Sequence, residues 1–205
     1  MEPHLRAGLA IYNAGDFHAA HDAWEDRWLD LERGTDDERF LHGLIQFTAA
    51  VHHATDRNWT GATGLTDSAL GYLEGLGDEY RGVDLTPVRS YLALLDADPE
   101  VIERRSPPPV SHEGTIVGLS DLSFEAAAVA AEVYAEARGY DETVVERAVR
   151  YARADLDAGR GTSEFVTFVL DFARDAENRG IVFQRLAEHV DRRAQREADV
   201  DGLFD

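Results

Sequence analysis

Apolar residues recur along this chain mostly at helical spacing, and polar breaks divide them into regular segments. The periodicity predicts a first helix over residues 3–13, stopped by Gly15, and a second over 17–32 with Asp16 at its N-cap. Gly34 with Thr35 and two aspartates makes a turn into a helix over 36–55, capped by Thr35 or Asp36. A fourth helix starts at Asn58 or Thr60 and runs to about 75, weakened by Gly61, Gly64 and Gly71. Gly75, Gly77 and Gly82 punctuate its end, and a fifth helix fits Pro87–Asp96 with Thr86 as cap. Residues 104–119 break the pattern, because Pro107, Pro108 and Pro109 favour a stiff extended link. Thr115–Gly118 reads as an isolated strand or extended chain, and no convincing pair of strands is visible. Helical patterning returns over 123–138, 141–158, 162–176 and 178–197, with Ser123, Asp141 and Thr162 as caps and Gly139, Gly159 and Gly161 as stops. The expected fold is all-α: a multi-helical bundle built on an antiparallel helical hairpin. It divides into a helical domain at 1–103, a Pro-rich linker at 104–119 and a helical C-terminal extension at 120–205.

Two adjacent segments depart from simple amphipathicity. Phe17, His18, His21, Asp22, Trp24, Glu25 and Trp28 crowd the second helix, and His42, Gly43, Gln46, His52 and His53 lie on the third, followed by Asn58. Surface helices do not need tryptophan, and core helices do not need His, Glu and Gln. Their concurrence predicts a shared pocket or a buried polar network. With the turn near Gly34, facing positions of the hairpin sum to about 68. His21 then faces Gln46 and Phe47, Glu25 faces Gly43, and His18 faces Ala50. Glycine opposite Glu25 would leave room for a side chain or ligand. His21 and Glu25 share one face, which Trp28 extends. His42, Gln46, Ala49 and His53 form the opposing stripe, and His52 is assigned to the surface.

These residues resemble the family of domain of unknown function 309, found in bacteria and archaea. Its first pattern matches Phe17, His21 with Asp22, Glu25 and Trp28. Its second matches His42-Gly43-Leu44-Ile45-Gln46, His53 and Asn58 with Gly61 and Ala62. The resemblance covers about residues 8–75 and implies an all-helical bundle without supplying a reaction. Two departures, Ala19 where the family often has Glu and His42 where it usually has Gln, weaken a carboxylate-rich metal site and leave histidine as the main candidate ligand.

The plain reading of His21 with Glu25 is a hydrogen-bonded pair that fixes helix packing. The sharper ones are a small-molecule or peptide pocket, acid–base catalysis, or a divalent metal held by His21, Glu25 and His53. The candidate pocket comprises His21, Asp22, Glu25, Trp28, Gly43, Gln46, His53 and Asn58. No His-Glu-x-x-His, Glu-x-x-His pair, nucleophile elbow, P-loop or dinucleotide fingerprint occurs. The apolar run Phe165, Phe168, Phe172 reads as a buried helix face or an oligomer contact. The function expected is therefore a binding or interaction module with a small ligand, a protein partner or a second copy. The alternative is a small metal-dependent or acid–base hydrolase using His21 and Glu25.

Charge narrows the setting. The 205 residues carry 40 acidic and 20 basic side chains, all the basic ones arginine, for a formal net charge of −20. The acids divide equally about the proline run, which describes a solvated acidic shell rather than a tail. Dense carboxylate without lysine suits high salt, and a halophilic cytoplasmic protein is expected. The same charge argues against nucleic acid and anionic membranes as partners. The absence of cysteine excludes disulfides and thiolate metal sites. No apolar stretch reads as a signal segment or a membrane span.

Overall fold

A computed structural model describes residues 1–201; residues 202–205 of the expected extension lie outside the described residues. The described chain is dominated by α-helix and divides into two compact units, the first ending at Leu122 and the second beginning at Ser123.

The first unit holds α1 (Glu2–Asn13), α2 (Phe17–Leu29), α3 (Asp36–Thr55), α4 (Trp59–Leu73) and α5 (Thr86–Ala97). The expected hairpin is α2 with α3, and α1 and α4 pack on it from outside. Local chemistry sets the helix starts. Thr35 accepts from the Glu38 amide at 3.2 Å, and Asn58 accepts from the Gly61 amide at 3.1 Å. The Trp24 indole is fully buried against Gly8, where an added Cβ would stand 2.1 Å from its Nε1. Gly8 therefore sets how closely α1 approaches α2.

The chain also forms a paired sheet that the sequence did not reveal, although its last strand falls within the possible strand at Thr115–Gly118. Glu79–Tyr80 (β1), Val83–Asp84 (β2), Ser111–His112 (β3) and Thr115–Ile116 (β4) make an antiparallel sheet in the order β1-β2-β3-β4. Tyr80 pairs with Val83, Val83 with His112, and His112 with Thr115. Both hairpins turn through two residues at positive φ, Arg81-Gly82 and Glu113-Gly114, the backbone of a type I′ turn. Two-residue strands are too short to show alternation.

The segment expected as a linker lies on the first unit. Asn13, the last residue of α1, donates from Nδ2 to the Val110 and Val117 carbonyls at 3.0 Å each and accepts from the Val110 amide at 2.9 Å. The Tyr12 hydroxyl donates to the Pro108 carbonyl, and Val110 and Val117 are buried. Proline prevents helix here, but it does not prevent extended backbone from lending its remaining groups to a side chain. Asn13→Ala should cost about 2–4 kcal/mol, because it leaves buried amide and carbonyl groups unpaired. A lower urea midpoint together with faster proteolysis within 104–119 is expected. Unchanged cleavage there would show that Asn13 does not hold the segment.

The second unit contains α6 (Phe124–Ala137), α7 (Glu142–Asp157), α8 (Glu164–Arg174) and α9 (Arg179–Asp201). Buried alanines of α6, among them Ala127, Ala130 and Ala131, let α8 pack close. Ser163, one residue beyond the expected cap, accepts from the Val166 amide. The Phe165–Phe172 face turns inward: Phe172 lies edge-on to Tyr140 at 5.2 Å, and Phe165 meets Tyr151 at 5.1 Å. On α9, Arg193 reaches both Asp155 and Glu197. Among the described residues, no helix is long and apolar enough to cross a membrane.

Candidate functional site

On α2, His18, His21, Asp22 and Glu25 stand at i, i+3, i+4 and i+7 and so share one face. His21 Nδ1 lies 3.0 Å from Asp22 Oδ1 and 3.9 Å from Glu25 Oε2. These three side chains are only partly buried, and one ligand atom from each falls within 4.8 Å of the others. The hydrogen bond to Asp22 is the main influence raising the His21 pKa above its ordinary value. Burial opposes it, and the charge of Glu25 adds to it. His21 is thereby held toward its imidazolium form between two carboxylates.

From α3, the His52 ring stacks on His18 with centroids 5.4 Å apart, and His18 is in turn 6.2 Å from His21. The adjacent histidines divide between two settings. His52, expected at the surface, has a side chain 40% exposed and also stacks against this face. His53 does not join the His21 group; its Nδ1 accepts from Asn58 Nδ2 at 2.9 Å. Asn58 thus serves both the cap of α4 and the orientation of His53.

Toward the turn of the hairpin, the Trp28 and His42 rings meet at 4.4 Å. The pairs His18 with His52 and Trp28 with His42 lie two residues farther along α3 than the turn at Gly34 predicts. Helical side chains lean toward the N-terminus, so each helix covers a level about one residue behind its own Cα. In an antiparallel pair the two leans add. Gly43 accordingly does not leave a gap opposite Glu25. An added Cβ there would stand 2.5 Å from Leu73 Cδ2, so Gly43 is where α4 presses onto α3. Gln46 is half-buried on α3.

A second polar cluster, absent from the sequence reading, is organised by Glu38. Its carboxylate accepts from Trp28 Nε1 at 2.9 Å and from the Gly34 amide at 3.3 Å, and it lies 3.6 Å from His42 Nδ1. Burial pushes the Glu38 carboxyl up, but those two hydrogen bonds and the facing His42 together hold it below its ordinary value. His42 is stacked on Tyr72 at 3.8 Å. Burial lowers its pKa, against the pull of Glu38. A small cavity of about 50 Å³ opens beside Trp28, Leu31 and Glu38. A larger one, about 420 Å³, lies between Tyr12, Phe17 and the run from Ser106 to Pro109. Neither cavity is lined by His21, Asp22 or Glu25.

His42 gives a pH dependence. Its folded-state pKa lies below the unfolded one, so the unfolded chain binds the proton first as pH falls. The stability that neutral His42 contributes is present above the ordinary histidine value and is lost as pH drops through the lowered one. His21 acts in the opposite sense, contributing below the ordinary value and losing effect as pH rises through its raised one. Between about pH 8 and pH 5 the thermal midpoint of His42→Gln should therefore fall less steeply than that of the parent. Identical slopes would show that His42 does not set the acid limb.

The described fold and this face define a mainly helical unit built on a histidine- and carboxylate-bearing hairpin. Residues 5–65, which run from α1 into α4, match the family model described as Domain of unknown function (DUF309). An uncharacterized protein of Aquifex aeolicus (strain VF5) is 30% identical over 88 residues, covering 43% of this chain and 26% of that protein. The match therefore spans about a quarter of the relative's length. The family's function is unknown, and the matched segment contains the whole α2 and α3 hairpin.

Proposed function

We propose that the first unit is a binding module whose receiving surface is the polar and aromatic face of α2 and α3. One observation carries this reading: His21, Asp22 and Glu25 converge on a partly exposed face, where they are not consumed by core packing. Polar groups that serve only to fix packing are normally enclosed and fully paired. The Trp28, Glu38 and His42 cluster lies nearer the turn of the same hairpin. The ligand is a small molecule or a segment of a protein partner, and the second unit serves assembly, including self-association. The acidic, lysine-free composition supports action in the cytoplasm at high salt, with neither nucleic acid nor membrane as partner.

Thermal-shift screening of the full chain in high salt against metabolites and divalent ions, with native mass measurement, tests this reading. A ligand whose stabilisation disappears in Glu25→Gln protein is expected. A strict monomer that nothing stabilises would remove the reading.

A second reading, a small acid–base or metal-dependent hydrolase, is favoured by the raised His21 pKa, which suits a general acid. Glu25 then stabilises the charge on His21. Ester or phosphoester turnover abolished by His21→Gln is its expected signature. Equal background turnover in parent and variant would exclude it.

A further inference from the structure

We propose that the cavity between the end of α1 and the proline run binds an organic cation, a planar aromatic ring bearing a primary ammonium group. None of His21, Asp22 and Glu25 lines this cavity, so the site goes beyond the binding surface proposed above and stands independently of it.

The walls suit a flat ring. The cavity measures about 420 Å³, inside the roughly 300–1,000 Å³ typical of small-molecule pockets. Tyr12 and Phe17 form one wall, with their ring centroids 5.3 Å apart and their planes tilted by 53°. Pro107, Pro108 and Pro109 form another. Aromatic faces attract cations, and proline rings dock on aromatic surfaces. Tyr12 and Asn13 hold the proline run in place through their bonds to the Pro108, Val110 and Val117 carbonyls. The cavity is thereby preformed, and a ligand does not bear the cost of ordering it.

The polar groups specify the charge. Proline has no amide hydrogen, so the run offers carbonyl oxygens and no donor. Among the described residues, no protein group donates to the carbonyls of Ser106, Pro107 and Pro109. The side-chain donors of Tyr12 and Asn13 are already spent on other carbonyls. A ligand rich in N–H donors therefore matches the proline side of the cavity. Asn13 and Gly15 place the C-terminal end of α1 there, and its last turn carries no basic residue. That end of a helix is the negative end of its dipole and favours a cation. α2 starts nearby at Phe17, and the Asp16 carboxylate at its cap offsets the positive end there. No lining side chain is charged, so no arginine already fills the place of the ligand's ammonium group.

The test uses the full chain in concentrated potassium chloride, which screens the general attraction of an acidic protein for cations. Tryptamine, indole and indole-3-acetate share one ring and differ in charge, and each is titrated by calorimetry. Tryptamine is expected to bind at one site, about 10-fold or more tightly than either of the others. Ser106→Arg sets a fixed cation at the cavity and should weaken tryptamine about 10-fold or more. It alters the net charge of −20 by only one unit, so such a loss reports the cavity rather than the whole surface. Phe17→Leu keeps an apolar wall without the aromatic face and should weaken tryptamine about 5-fold or more. Ser106 is exposed and Phe17 half-buried, so both variants retain the fold, checked by circular dichroism. Indole or indole-3-acetate binding as tightly as tryptamine overturns the proposal, as does unchanged tryptamine affinity in Ser106→Arg. Absence of tryptamine binding to the parent protein overturns it as well. Ser106→Arg should leave any Glu25-dependent stabilisation by other ligands intact, so this cavity and the α2 and α3 face are judged separately.

Discussion

Trp24→Ala should destabilise the first unit by about 3–5 kcal/mol, the largest effect expected of any single side chain there. Three causes act together. The indole has no solvent exposure, so its transfer energy is lost in full. It fills the space that Gly8 opens between α1 and α2, and rigid helix backbones on both sides cannot collapse into the vacancy. Its Nε1 also donates to the Leu5 carbonyl at 3.3 Å, a bond that alanine cannot replace. The check is chemical denaturation followed by circular dichroism in high salt. Gly8→Ala is the companion variant, because it crowds the same contact from the other side and should cost about 1–3 kcal/mol. A loss under about 1 kcal/mol for Trp24→Ala would mean that α1 is not packed as described.

Arg179→Leu should cost the second unit about 2–4 kcal/mol, although it replaces a charge with an apolar group at a site that is only 5% exposed. The guanidinium donates from Nε to the Phe172 carbonyl at 2.8 Å and from Nη2 to the Ala173 carbonyl at 3.3 Å. These are among the last carbonyls of α8, groups that no helical amide can reach. The cation also lies 3.8 Å from the Tyr134 ring centroid, which places it over the aromatic face. Leucine keeps the volume but leaves buried carbonyls unpaired. Hydrogen exchange should report the loss first at the C-terminal turn of α8 and then across the unit. An unchanged denaturation midpoint would show that water replaces the guanidinium there at no cost.

The helices were legible in the sequence because their signals are local. Periodicity, the Thr35 and Asn58 caps and the glycine stops act within a few residues, and the structure places those elements close to their expected bounds. Apart from the possible strand at Thr115–Gly118, the sheet and the fate of the proline segment were not legible. Arg81 and Glu113 occupy left-handed positions that favour glycine or asparagine, so the sequence carries no turn signature at those sites. The contacts of Val110 and Val117 depend on Asn13, roughly a hundred residues away, and no local pattern encodes such a partner. At the candidate site, helical spacing revealed His21, Asp22 and Glu25 because one helix carries all three. Glu38 was missed because Thr35-x-x-Glu38 has the form of a helix cap, and a cap accounts for a glutamate without invoking a second role. His53 was preferred to His52 because a stripe drawn from Cα positions ignores the backward lean of the side chains.

The Asn13 clasp also orders events in time. Synthesis adds about 5–20 residues per second, so α1 exists for roughly 5–20 s before Val117 has been made. During that interval the Asn13 amide and the Tyr12 hydroxyl have only water as partner for the bonds they later make to residues 108–117. The segment matched by the family, which ends at residue 65, is complete well before this closure. Nascent chains halted near residue 103 should therefore hold α1 on the hairpin through Trp24 while its Asn13 end stays unclasped. Chains extended well beyond Leu122 should be the first to protect the Asn13 end of α1 and the 104–117 segment from a protease.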